Sequence, residues 1–254
     1  MHLILTGATG LVGSGVLDAM IKAKDVTKIS ILSRRPVPMA EDAKDPRINV
    51  IIHKDFTKYD SAILEQLKGA RGCVWALGIS QTQVSKDEYV KITKDYALAA
   101  SEAFQELAQD AAAPFNFVYV SGHGATFTPG LLTPIFGRVK GETETALAAL
   151  RARNPLFHAS SARPAAVDGS AHDAIQKYLP VAPLVYRAVA PLMRVPVQLA
   201  FSGLYSPTQP LGRFLTDMAM GKYSLAAPAR DIAMIGEFPV LENTAIRRLV
   251  GLDK

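Results

Sequence analysis

The first residues able to do chemistry stand near the start of the chain, in Thr6-Gly7-Ala8-Thr9-Gly10-Leu11-Val12-Gly13. This run follows the apolar stretch Leu3–Thr6 and leads into Leu11–Ala23, where Val12, Val16, Leu17 and Met20 fall at helical spacing. Glycine at 7 allows a tight turn. Glycine at 10 lets backbone N–H groups approach a pyrophosphate with no Cβ in the way. Glycine at 13 lets the helix pack closely on the strand. The helix N-terminus then faces the anion with its dipole. This is the chemistry of a dinucleotide cradle, and Thr6, Gly7, Thr9, Gly10, Leu11, Val12 and Gly13 are its candidate residues.

The second apolar strand ends in Ser33-Arg34-Arg35, about twenty residues after the turn, where a dinucleotide fold places the group that meets the adenosine ribose. A carboxylate there would accept from the ribose 2′-OH of NAD. A hydroxyl followed by two guanidiniums suits a 2′-phosphate instead, gripped bidentately, and so favours NADP(H). Asp55, followed by Phe56, comes after the third strand and can accept from an adenine amino group; the plainer reading is a turn or cap acid. Leu77-Gly78 ends the fourth strand, where backbone must pass close to a ribose, or where an ordinary turn glycine would serve.

Positioning these groups requires alternating strands and helices. Apolar runs at Leu3–Thr6, Ile29–Ser33, Asn49–His53, Cys73–Ala76, Asn116–Ser121 and Phe157–Ala162 are separated by helical patterns at Leu11–Ala23, Ser61–Lys68, Glu88–Gln109 and Ile135–Arg153. A polar loop with Pro36, Pro38 and Pro46 precedes the third strand. Continuous apolar strands alternating with helices predict an α/β fold, a Rossmann-type doubly wound parallel sheet covered on both faces. Beyond Pro164, proline and small residues dominate up to Pro210, followed by helices near Leu211–Met220 and Asn243–Val250. One domain over 1–254 is expected, with a dinucleotide-binding core at 1–170 and a dependent C-terminal substrate cap at 171–254.

The chain resembles the short-chain dehydrogenase/reductase superfamily, in particular its atypical branch related to Tat-interacting-protein oxidoreductases and epimerase-like reductases. The matching residues are the Thr6–Gly13 turn, Arg34-Arg35, Asp55, Leu77-Gly78, Val120-Ser121-Gly122, Val139-Lys140-Gly141-Glu142 and Arg163-Pro164, and the likeness spans about residues 1–170. The resemblance implies an active centre of Ser, Tyr and a Lys four residues after the Tyr. In such a centre Tyr donates a proton to the carbonyl that accepts hydride, Lys lowers the Tyr pKa and bonds the nicotinamide ribose, and Ser orients the carbonyl. Ser121 matches the Ser and Lys140 the Lys, but Phe136 stands where the Tyr should be, and a phenyl ring can neither donate nor titrate. Pro164 and Val167, after the sixth strand, are expected to border the nicotinamide.

Three readings stay open. The chain is an NADP(H)-dependent oxidoreductase of a small, mainly apolar carbonyl or alcohol in which another acid replaces the Tyr. His123, two residues past Ser121, is one candidate, because an imidazole can supply a proton near neutrality; Tyr186 and Tyr205 are others. Alternatively the fold holds NADP(H) as a non-catalytic regulator or redox sensor, or uses the same pocket for non-redox, isomerase- or cyclase-like chemistry. Lys140 could also be a solvated helix residue beside Glu142 and Glu144, and Tyr89 and Tyr96 on the long helix suit packing.

Composition narrows the classes further. The chain has 254 residues, 49% of them apolar and 20% charged, and a net charge of +5, which excludes global disorder. Its one thiol, Cys73, excludes an internal disulfide and a cysteine zinc site, and suits a reducing, cytoplasmic setting. The five histidines show no metal-ligand spacing, so no metal is expected. Basic residues are dispersed rather than clustered, which argues against nucleic acid as a partner. A small-molecule substrate is the expected partner. No targeting segment is read at the N-terminus. Leu179–Phe201 is apolar but broken by four prolines and two arginines, a poor spanning helix that leaves peripheral membrane contact and a homodimer surface open.

Overall fold

The computed structural model describes residues 1–109, 113–179, 202–225 and 229–253. Its centre is β1 (His2–Thr6), buried at every position because a helix layer covers each face of the sheet. β2 (Lys28–Ser33) and β3 (Ile48–Ile52) lie to one side of it. β4 (Ala70–Trp75), β5 (Phe115–Val120) and β6 (Phe157–Arg163) lie to the other, all parallel to β1. Two late strands complete the sheet. β10 (Phe238–Glu242) runs parallel to β6, and β9 (Ile232–Ile235) pairs antiparallel at the edge, giving the order β3-β2-β1-β4-β5-β6-β10-β9.

Side chains alternate between the two faces, as the period of a strand demands. Leu3 and Leu5 point into a cluster with Val16, Leu17 and Met20 of α1 (Leu11–Lys22) and with Leu211, Phe214 and Leu215 of α7 (Thr208–Ala219). Ile4 points the other way, into an aromatic-rich cluster with Trp75, Phe117, Phe104 of α5 (Tyr96–Gln109) and Leu147 of α6 (Ile135–Arg153). Each layer thus anchors the helices that carry the functional loops.

Most of the expected elements are present, with ends moved by one to three residues. The long helix expected at Glu88–Gln109 begins as α4 (Lys86–Val90), passes through a π-helical stretch at Lys91–Asp95 and continues as α5. The loop expected to be irregular before the third strand holds a short helix, α2 (Pro38–Ala43); Pro38 sits at its first position, where a missing N–H costs nothing. α3 (Ser61–Leu67) is capped by Asp60, whose carboxylate accepts from the Ile63 N–H at 2.9 Å.

The described part of the C-terminal third does more than lie over the sheet edge. It supplies β9, β10, α7 and a last helix, α8 (Asn243–Leu249), to the body of the fold. A small parallel pair, β7 (Ala166–Asp168) and β8 (Tyr205–Pro207), sits beyond the carboxyl end of β6. The stretch from Pro180 to Phe201, with Tyr186 and the apolar segment considered for membrane or dimer contact, lies outside the described residues. Among the described residues no helix is long and apolar enough to cross a membrane.

Candidate active site

The glycine turn connects β1 to α1 with a geometry that side chains would block. Gly7 has φ of +71°, and a Cβ there would lie 2.3 Å from the Ala76 carbonyl oxygen. A Cβ at Gly13 would lie 2.0 Å from the Gly7 carbonyl oxygen, so helix and turn touch backbone to backbone. The Gly10 N–H bonds the Gly7 carbonyl at 2.9 Å, and no side chain caps α1. The first-turn amides of α1 therefore stay free to meet an anion, with no acidic residue in that turn to compete. The cradle fits a dinucleotide pyrophosphate.

The residues expected around it lie at the same carboxyl edge of the sheet. Thr6 is buried, and its Oγ1 accepts from the Leu77 N–H at 3.2 Å, which ties the first turn to the end of β4. Gly78, next along, faces open space. Arg34 and Arg35 are exposed past the end of β2, and neither pairs with a carboxylate among the described residues. Arg35 reaches across to Thr9 Oγ1 at 3.4 Å, and its backbone is pinned to the Ser33 hydroxyl, which donates to the Arg35 carbonyl at 2.7 Å. Two cations with no carboxylate partner among the described residues therefore stand beside the cradle.

Two expected contacts are local instead. The Asp55 carboxylate accepts from the Thr57 N–H at 3.0 Å and hydroxyl at 2.6 Å, an arrangement that holds it below its ordinary pKa. The Phe56 side chain is fully buried against His53, Trp75 and Tyr96, so only its backbone can face a ligand. Leu11, Val12 and Val167 pack their side chains on the core, again leaving backbone to the ligand side. Tyr89 is buried and Tyr96 packs on Phe56, as packing residues should.

The end of β5 holds the candidate reactive groups. Ser121 is 4% exposed, and its Oγ is buried without a hydrogen-bond partner among the described residues. Lys140, one side chain away on α6, donates from Nζ to the Ser121 carbonyl at 2.5 Å and to the Val120 carbonyl at 3.3 Å. Burial lowers its pKa to about 8, partly offset by the charge of Glu144. Phe136 stands one helical turn before Lys140. Its ring leans on Gly124, where a Cβ would come within 3.3 Å of ring Cζ, and its N–H donates to Gln81 Oε1 at 3.0 Å.

His123 belongs to a charged chain that leads out of the core. Glu144, fully buried, accepts from Arg163 Nη2 at 2.6 Å, from Arg163 Nε at 3.0 Å and from the Ser161 hydroxyl at 2.7 Å. Arg163 Nη1 donates to Glu242 Oε1 at 2.6 Å, and Glu242 Oε2 lies 3.7 Å from His123 Nδ1. The His123 N–H also donates to the Pro164 carbonyl at 2.9 Å, which joins the two loops. The ring is about half exposed and lines a cavity of about 560 Å³ with Ala125, Leu204, Glu242, Asn243 and Thr244. Glu144 and Glu242 escape a sequence reading because their partners lie far away in the chain. The one available signal is that Glu144 sits four residues after Lys140, on the same helix face. The alternative acid Tyr205 donates its hydroxyl to Asp168 at 2.9 Å. No cluster able to hold a metal exists among the described residues.

The chain is 34% identical over 261 residues to leucinostatins biosynthesis cluster protein T of Purpureocillium lilacinum, covering 94% of this chain and 90% of that protein. It is 42% identical over 158 residues to botcinic acid biosynthesis cluster B protein 16 of Botryotinia fuckeliana, covering 62% of this chain and 99% of that one. No family model matches the sequence. Among solved structures, a short chain dehydrogenase/reductase from Saccharomyces cerevisiae superposes with a TM-score of 0.64 at 15% identity, covering 95% of this chain and 96% of the other. With 34% identity spread over nine-tenths of a relative, the chain belongs to the family of leucinostatins biosynthesis cluster protein T, and its fold is the Rossmann-type fold seen in a short-chain dehydrogenase/reductase.

Proposed function

We propose that the protein is an NADP(H)-dependent oxidoreductase acting on a small, mainly apolar carbonyl or alcohol. The observation that carries this reading is the Ser121 hydroxyl, buried and without a partner among the described residues, beside Lys140 at the same sheet edge as the glycine cradle. A buried hydroxyl without a partner is costly, and a substrate oxygen would satisfy it. The kinship with two biosynthesis-cluster proteins supports an enzyme acting on a biosynthetic intermediate.

The residues divide the work by chemistry. The free amides at Leu11, Val12 and Gly13 hold the pyrophosphate, Arg34 and Arg35 grip the 2′-phosphate, and Asp55 and the Leu77-Gly78 backbone border the adenosine. Lys140 donates to the nicotinamide-side ribose, with Pro164 and the backbone at Val167 behind it. The bound cofactor supplies or accepts the hydride. Ser121 Oγ donates to the substrate oxygen and stabilises the charge that develops there. Phe136 has no proton to give. His123 takes that role from the wall of the cavity, oriented by Glu242, which Arg163 and Glu144 hold in place. Ala125 and Leu204 supply apolar contact, while Thr244 offers a polar group that fixes orientation.

Mixing NADPH with a panel of aldehydes and ketones and following its absorbance tests the reading. Oxidation by at least one panel member, lost in Ser121→Ala and reduced in His123→Phe, is expected. NADPH binding without turnover on any member would favour a cofactor-binding regulator, the reading favoured by a phenyl ring at the Tyr position.

A further inference from the structure

A second cavity, of about 550 Å³, opens at the amino-terminal edge of the sheet, opposite the glycine turn. β4, β5 and β6 run parallel, and each brings its second residue to this edge: Arg71, Asn116 and His158. Arg151, in the last turn of α6, faces the same space, and no Asp or Glu lines it among the described residues. Met218, Met220, Tyr223 and Leu225 form an apolar wall.

The two guanidiniums are incompletely satisfied. Arg151 Nη1 donates to the Ala159 carbonyl at 2.8 Å, but its Nε is buried with no partner among the described residues. Arg71 Nε is likewise buried without a partner among the described residues. Neither residue has an ion-pair partner among the described residues. Burial lowers the pKa of Arg151, and burial together with the Arg151 charge lowers that of His158; the more distant Glu237 opposes both shifts without pairing. Lys222 at the rim is already committed, to Asp217 at 3.0 Å and Asp25 at 3.4 Å. Cations withdrawn from water usually carry a counter-charge, and two planar forks facing one space match the oxygens of a carboxylate or phosphate.

We propose that this cavity binds a small amphipathic anion, with its carboxylate or phosphate head between Arg71 and Arg151 and its apolar body against Met218, Met220 and Tyr223. The site is separate from the dinucleotide cradle by the full length of the strands, so its occupancy does not depend on the redox reading above.

Titration calorimetry with decanoate, decyl phosphate and the neutral analogue decanol tests it. At least one of the two anions is expected to bind, and which one is stronger identifies the head group. Decanol should bind about tenfold more weakly or not at all, since it cannot form the charge-assisted bonds. Arg71→Met and Arg151→Met should each weaken the anion by about tenfold or more. Arg71→Lys and Arg151→Lys, which keep the charge and lose the fork, should fall in between. Thermal unfolding of every variant reports folding independently, and the comparison of anion with alcohol needs only the unmodified protein. Failure of both anions to bind, decanol binding as tightly as either of them, or full anion affinity in folded Arg→Met variants would each overturn the proposal.

Discussion

Lys140 Nζ donates to the Ser121 carbonyl oxygen at 2.5 Å while the Ser121 hydroxyl has no partner among the described residues. One ammonium on α6 thus fixes the backbone of the residue after β5 without engaging its side chain. Because the ammonium is withdrawn from water, its proton is held more weakly than in an ordinary lysine, and this has a measurable consequence.

Lys140 has a pKa near 8 in the folded protein against an ordinary 10.5. As pH rises, the folded state therefore loses the proton first. Between about 8 and 10.5 the unfolded chain binds more protons, so this group makes stability rise with pH across that window. In Lys140→Met this rise should disappear from urea midpoints measured across the range. NADPH affinity should move the opposite way, falling as pH climbs through about 8 because the ribose loses a charged donor. An unchanged stability profile in Lys140→Met would refute the assignment of this group.

Phe136→Tyr restores a hydroxyl four residues before Lys140. With Ser121 and Lys140 already in place, the variant should gain or raise NADPH-dependent carbonyl reduction. Steady-state rates on the same carbonyl panel check it. No change with the dinucleotide still bound would mean that Phe136 does not occupy the Tyr position.

Glu144 and Arg163 form a buried pair with two hydrogen bonds, and Arg163 also serves Glu242. Glu144→Ala leaves a buried guanidinium with half its compensation and should cost about 3 kcal/mol in urea unfolding. It should also loosen Glu242 and His123, lowering turnover at a temperature where the variant is still folded. A loss below about 1 kcal/mol would place the pair among weak surface bridges.

Arg34→Ala combined with Arg35→Ala should weaken NADPH far more than NADH. Each lost charge-assisted bond is worth about 1.5–3 kcal/mol, and only NADPH carries the phosphate that receives it. Equal weakening of both ligands, measured by calorimetry, would remove the 2′-phosphate argument.

Local signals made much of this legible in the sequence. The apolar period marks β1, β2, β5 and β6, and α6 begins at Ile135 and ends at Arg153 as its pattern implies. The glycine turn is readable because each glycine answers a clash that any Cβ would cause. The hairpin of β9 and β10 is not, since Pro239 inside β10 speaks against a strand, and the turn at Gly236 links two short runs without strong alternation. α2 hides behind prolines that read as loop. The chain from Glu144 through Arg163 and Glu242 to His123 joins residues up to 119 positions apart, a tertiary fact no local pattern carries.

Calorimetric titration of the purified protein with NADPH and with NADH shows whether the uncapped amides of α1 and the guanidiniums of Arg34 and Arg35 form one dinucleotide site. Heat and saturable binding are expected for NADPH, at least about tenfold tighter than for NADH. No heat and no thermal shift with either ligand, or preference for NADH, would contradict it.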